Sequence, residues 1–200
     1  EQFRVNEIVK SLKDKGFDVD ILTGVPNYPE GQVFKEFTSN KEDFKFYQGA
    51  RIFRVPIWLR RNSNKFNLFL NYLSFILSGI IFGFFKLRKK EYDYIFTFAT
   101  SPITVCIVSI FFSKLKKAKS IVWVLDLWPE SITAASNIKS KNIGKIITPL
   151  VKYIYHNTDN ILVSSRGFIN SIIKKGIDKN KIQFFPQWAE NIYEIIPKKK

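Results

Sequence analysis

Ser120-Ile121-Val122-Trp123-Val124-Leu125-Asp126-Leu127-Trp128-Pro129-Glu130-Ser131 is the stretch that decides the fold. Residues 120–125 are almost continuously apolar, the pattern of a central parallel strand covered on both faces. The run breaks at Asp126, and Pro129 suits the first turn of a following helix. The flanking sequence repeats the step. Upstream, residues 92–98 read as a strand, and Ser101-Pro102 supplies an N-cap and a first-turn proline for a helix to about Lys117. Downstream come a helix over 141–156, a strand at 161–164, a helix over 168–175 and a strand at 182–185.

Further out the alternation continues. Val5, Ile8, Val9 and Leu12 recur at helical spacing, with Gly16 as a stop. Residues 17–23 alternate apolar and polar as a strand ending at Gly24. Residues 25–40, with Pro26, Pro29 and Gly31, read as a long loop of the functional kind. A short strand at 52–56 and a long apolar helix over 66–87 complete the chain. Strands alternating with helices of this length specify an α/β doubly wound parallel sheet, Rossmann-like. Such a domain normally opens with a strand, whereas here a helix is first, so a first strand is expected ahead of Glu1. Residues 1–190 are expected to form one domain and 191–200 to begin a linker or tail.

The 200 residues are 46% hydrophobic, ample for a core, and carry a net charge of +15 from 32 Lys and Arg against 17 Asp and Glu. That balance suits anionic partners, whether phospholipid headgroups, lipid diphosphates or nucleic acid, although a composition rich in Lys, Ile, Asn and Phe also arises by drift. Cys106 is the only cysteine and His156 the only histidine, which excludes an intramolecular disulfide and any site needing two histidines. No metal or cofactor is expected. Glu1-Gln2-Phe3-Arg4 does not read as a secretory signal, and the sequence contains no Met, so a trimmed cytosolic protein is expected.

In an open parallel sheet, ligands bind beyond the carboxyl ends of the strands. The candidates are therefore the residues after each strand: 24–31, 99–102, 126–130, 164–167 and 186–190. Asp126 ends a buried strand, and Glu130 lies in the first turn of the next helix, where it also complements the helix dipole. Trp128 could stack on a sugar ring or fill the core. Ser101 opens a helix whose free amides suit phosphate, and Ser164 with Arg166 offers a hydroxyl and a guanidinium. Each has an ordinary structural reading as well, as cap, ion pair or helix entry.

Residues 66–85 contain no charge and are flanked by Arg60, Arg61 and Lys65 on one side and by Lys86, Arg88, Lys89 and Lys90 on the other. The length suits a membrane span, and Gly79 with Gly83 matches the small-residue spacing of helix dimers. Asn67, Asn71, Ser74 and Ser78, however, form one polar stripe. The stripe favours an amphipathic helix whose apolar face, including Phe66, Phe69 and Leu70, is buried in the domain or pressed into an anionic bilayer surface.

Several short motifs occur in a characteristic order: Val25-Pro26-Asn27-Tyr28-Pro29-Glu30-Gly31, Arg54-Val55-Pro56, Asn71-Tyr72-Leu73-Ser74-Phe75, Ser101-Pro102, residues 126–131 and Pro186-Gln187-Trp188-Ala189-Glu190. Together they resemble the N-terminal domain of family 4 glycosyltransferases, in the branch that builds O-antigen, capsule and exopolysaccharide and includes fucosamine transferases. The resemblance implies one acceptor-binding lobe of a two-lobed enzyme, with metal-independent, retaining transfer from a nucleotide sugar. It implies a polyprenyl-diphosphate-linked saccharide acceptor at the inner face of the plasma membrane, and inactivity of this lobe alone, because the donor-binding glutamates belong to a C-terminal lobe. Asn27, Tyr28, Ser101, Trp128, Glu130, Ser164 and Arg166 then become substrate-binding candidates. Asp126 becomes the contact at the reacting centre. Relatives often place His just before this Asp, and here that position is Leu125, so no catalytic base is assigned. The competing reading is a non-enzymatic basic module for membrane surfaces or nucleic acid. Nucleic acid is not expected, because the basic residues gather at helix ends and not in an aromatic-interleaved stripe.

Overall fold

The structure, a computed structural model, describes residues 2–62, 64–131 and 141–188. Helix α1 (Gln2–Asp14) stops where expected: Gly16 takes φ +84°, and the Phe17 amide reaches back to the Leu12 carbonyl at 3.1 Å. Only glycine enters that left-handed turn cheaply. Strand β1 (Asp20–Gly24) follows, and the loop after it holds a short helix, α2 (Lys35–Ser39). Strands β2 (Phe46–Tyr47) and β3 (Ala50–Val55) then form an antiparallel hairpin. Its two-residue turn, Gln48-Gly49, has φ of +48° and +79°, the geometry that matches strand twist in tight hairpins.

Helix α3 (Lys65–Leu87) is capped by Asn64, whose side chain accepts from the Asn67 amide at 2.8 Å. The rest alternates regularly: β4 (Tyr94–Ala99), α4 (Val105–Lys116), β5 (Lys119–Val124), α5 (Lys141–His156), β6 (Asn160–Val163), α6 (Arg166–Lys174) and β7 (Ile182–Phe184). The helix expected after Pro129 shows its first residues, Glu130 and Ser131, and then passes outside the described residues, as do Ala189, Glu190 and the boundary placed at 190.

Strands β4-β5-β6-β7 form a wholly parallel sheet in that order, with Ala99 level with Val124, Val124 with Val163, and Val163 with Phe184. The fold is therefore α/β and Rossmann-like. Strands β1-β3-β2 form a second, mixed sheet, and no ladder joins β1 to β4 among the described residues.

Parallel strands added in one direction by right-handed crossovers put their helices on one face. Here Val122, Val124, Ile161 and Val163 turn to that face and form a core with Cys106 and Ile110 of α4, Ile154 and Tyr155 of α5, and Ile172 of α6. Burial pushes the Cys106 thiol up to about 12, which leaves it inert at neutral pH. The opposite face carries Trp123, fully buried. Trp188 stacks on it at 5.7 Å with the rings 1° from parallel, and the Trp188 indole donates to Glu7 of α1 at 2.7 Å. Both faces are thus covered.

Helix α3 lies against α4, β1 and β3. At Gly79 an added Cβ would meet Val108 at 3.1 Å, and at Gly83 it would meet Phe112 at 2.9 Å. The small-residue pair is used within the chain, to seat α3 on α4. The polar stripe also turns inward: Asn71 is 5% exposed and Ser78 8%. Consequently the apolar stripe faces out, with Phe66 67% and Phe69 60% exposed, while Leu70 is half-buried. Lys86, Arg88 and Lys89 are exposed. Lys90, expected beside them as a membrane-facing cation, is instead drawn inward to an ion pair with Asp20 and lies 5.2 Å from the Phe53 ring.

Candidate functional site in the cleft between the two sheets

The carboxyl ends of β1 and β4 open on one cleft of about 720 Å³, lined among others by Asn27, Tyr28, Arg54, Arg60, Tyr72 and Ser101. The strands run outward from it in opposite directions, β1-β3-β2 on one side and β4 to β7 on the other. This is the topological switch point at which open α/β sheets bind ligands.

Asp126 follows β5 directly, and the Ser101 hydroxyl donates to its Oδ2 at 2.8 Å. The Trp128 indole N–H donates to that same Ser101 oxygen at 3.1 Å. Residues from the ends of two neighbouring strands are therefore joined in one hydrogen-bonded chain, which leaves Asp126 Oδ1 to accept elsewhere. The N-cap role expected of Ser101 is corrected: α4 starts at Val105 after Thr104, which makes no side-chain cap. The Ser101 oxygen faces Asp126, and its phosphate-holding helix end is not formed at that residue.

The Asn27 loop is fixed from below. Gly31, at φ +73°, accepts from the Arg61 amide at 3.0 Å, and an added Cβ there would sit 2.3 Å from the Arg61 carbonyl oxygen. Asn27 is 8% exposed and donates to the Val25 carbonyl, while its Oδ1 has no partner. Tyr28 projects into solvent beside Arg60, whose guanidinium lies 5.6 Å from the Tyr28 ring and 5.7 Å from the Tyr72 ring. Arg60 Nε donates to Asn71 Oδ1 at 3.2 Å, and the Asn71 amide donates to the Trp58 carbonyl at 2.6 Å. Neither Arg60 nor Arg54 has a carboxylate partner among the described residues, and Arg54 Nε is buried without an acceptor. The cleft therefore combines unpaired positive charge, an unsatisfied amide oxygen and aromatic faces. Such a lining suits a ligand carrying hydroxyls and negative charge.

Three candidates from the sequence sit away from this constellation. Glu130 accepts from Lys175 at 2.5 Å and from Ser171 at 2.6 Å, both on α6. Burial by itself raises the Glu130 carboxyl, but the hydrogen bonds from Lys175 and Ser171 outweigh it and hold the group below its ordinary value. Ser164 lies after β6 as expected, yet the cap of α6 is Ser165, which accepts from the Gly167 amide at 3.3 Å. Arg166 stacks over Phe184 at 4.4 Å. Conversely, Arg54 and Arg60 as lining groups were not singled out by sequence reasoning. Arg60 read as a helix flank, and only its bond to Asn71, eleven residues on, turns it to the cleft.

No known family profile matches the chain. Over 189 residues it is 25% identical to WcaI of Escherichia coli (strain K12), provisionally named a colanic acid biosynthesis glycosyl transferase. The match takes in 92% of this chain and 45% of the relative, so the chain spans under half the length of the curated protein it resembles. The kinship is distant.

Proposed function

We propose that the chain is the acceptor-binding lobe of a glycosyltransferase of bacterial surface polysaccharide synthesis. It works at the inner face of the plasma membrane and moves a sugar from a nucleotide sugar to a saccharide carried on polyprenyl diphosphate, with retention at the anomeric carbon. The observation that carries this reading is the Ser101–Asp126 bond at the switch point, in a chain distantly related to a protein named for glycosyl transfer. O-antigen, capsule or exopolysaccharide is the product class, and the nucleotide sugar is held mainly by a second lobe.

In this reading Ser101 and Trp128 orient the Asp126 carboxylate, whose free Oδ1 accepts a hydrogen bond from the reacting acceptor hydroxyl. The carboxylate thereby fixes that oxygen for attack, a positioning effect that can supply several powers of ten in rate. Asn27 Oδ1 accepts from a second sugar hydroxyl. The Tyr28 ring forms a platform, and Arg60 faces the acceptor diphosphate. Asp126→Asn in the intact enzyme keeps the shape and loses the charge; transfer should fall by about two orders of magnitude or more with the melting temperature little changed. Near-normal turnover would remove Asp126 from the site. The isolated lobe should show no transfer and only weak donor affinity, and tight donor binding to it would overturn the assignment of this lobe to the acceptor.

A further inference from the structure

Amphipathic helices on water-soluble proteins turn their polar side outward. Helix α3 is inverted. Its Asn67, Asn71 and Ser74 side chains bond inward to the 58–62 segment: Trp58 Nε1 donates to Asn67 at 3.1 Å and the Trp58 amide to Ser74 Oγ at 2.7 Å, while Asn71 holds Arg60 and the Trp58 carbonyl. Outward, Phe66, Phe69, Leu73, Leu77, Ile81 and Phe85 follow at spacings of three and four, from 38% to 67% exposed. That stripe extends about 28 Å at the α-helical rise. An apolar surface of this size does not stay in water without a reason.

We infer that α3 is a docking face for an anionic lipid surface, lying flat with its Phe side chains at the acyl boundary and its terminal cations among the headgroups. Two observations select lipid over a protein partner. Lys65 precedes the stripe and Lys86, Arg88 and Lys89 follow it, all exposed, so the two ends call for negative charge while the middle calls for hydrocarbon. The chain as a whole carries +15, which opposes self-association through the same face. A span is excluded by the inner side: α3 packs along β1, β3 and α4 and is bonded to the polar 58–62 segment, groups that hydrocarbon would leave unsatisfied. Asn71 and Tyr72 line the cleft from the same helix, so docking would bring the cleft mouth to the headgroup plane. The surface stands on its own geometry and does not depend on the transfer reaction.

The test is co-sedimentation of the full chain with vesicles of phosphatidylcholine alone and of phosphatidylcholine with phosphatidylglycerol, with no donor or acceptor present. Binding should be stronger to the anionic vesicles and weaken with salt. The triple variant K86Q/R88Q/K89Q should lose about a hundredfold on anionic vesicles, roughly fivefold per cation, and little on neutral ones. F66S/F69S/F85S should lose at least about a hundredfold on both. These side chains are exposed, so both variants should melt like the parent, and melting curves verify this. Equal recovery from both vesicle types would overturn the inference. So would protein that resists extraction by salt and alkaline carbonate, which would mean a span, or a dimer closed over α3 that ignores vesicles, which would mean a second copy.

Discussion

Gly83 offers the sharpest test of how α3 is seated. On helix propensity alone, Gly83→Ala in mid-helix should stabilise the protein by about 1 kcal/mol. Packing opposes this, because the new Cβ would lie 2.9 Å from Phe112 Cζ, 3.1 Å from Phe112 Cε2 and 3.2 Å from Leu22 Cδ2. Phe112 is 4% exposed and in edge contact with Phe111 at 5.1 Å, so its ring cannot swing aside cheaply. Overpacking of this kind costs about 1–3 kcal/mol, so the net change is a loss of roughly 0–2 kcal/mol. Gly144→Ala is the internal control: it lies in α5, a Cβ there meets nothing within 4 Å, and it should gain about 0.5–1 kcal/mol. Urea midpoints of the two variants against the parent measure the difference, which should be about 0.5–3 kcal/mol with Gly83→Ala the less stable. Were Gly83→Ala to gain as much as Gly144→Ala, or to change oligomeric state without changing monomer stability, the α3–α4 contact described above would be wrong.

Two more outcomes follow. Asn71→Ala removes the link between Arg60 and the Trp58 carbonyl, leaving buried polar groups unpaired; it should cost about 1–3 kcal/mol in urea denaturation and, in the enzyme proposed above, raise KM for the acceptor through release of Arg60. Glu130 has its folded pKa held down, so its contribution to stability is complete above the ordinary carboxylate pKa of about 4.3 and fades as pH falls through the lower folded value. Glu130→Gln should therefore lower the melting temperature at neutral pH, where it strands the Lys175 ammonium, and the gap to the parent should close on acidification. A gap that stays constant down to acid pH would show that the pair contributes no charge-linked stability.

The alternation of strands and helices was legible because buried parallel strands announce themselves as unbroken apolar runs, and residues 120–125 did so. Helix α3 was legible in length but not in direction. Periodicity reports that Asn67, Asn71, Ser74 and Ser78 share a side; it cannot report that residues 58–62 would fold back to satisfy them. The start of α4 was misread for a related reason, since the Ser101 hydroxyl is taken by Asp126, twenty-five residues away in sequence, and not by an amide of its own helix. The hairpin at Gln48-Gly49 went unread because its first strand, Phe46–Tyr47, is only two residues long, whereas its second was read as the strand at 52–56. The rim itself was readable from topology, and Asp126 and Ser101 meet on it. Arg60 was not, because its role depends on a tertiary hydrogen bond.

The outer positions of β1 and β4 in their sheets have a practical consequence. Each of these strands ends its sheet among the described residues, so one margin of each has no ladder partner there. A sheet margin left open in this way can template the addition of stray extended peptide. Preparations of this chain should therefore gel or precipitate first through those margins.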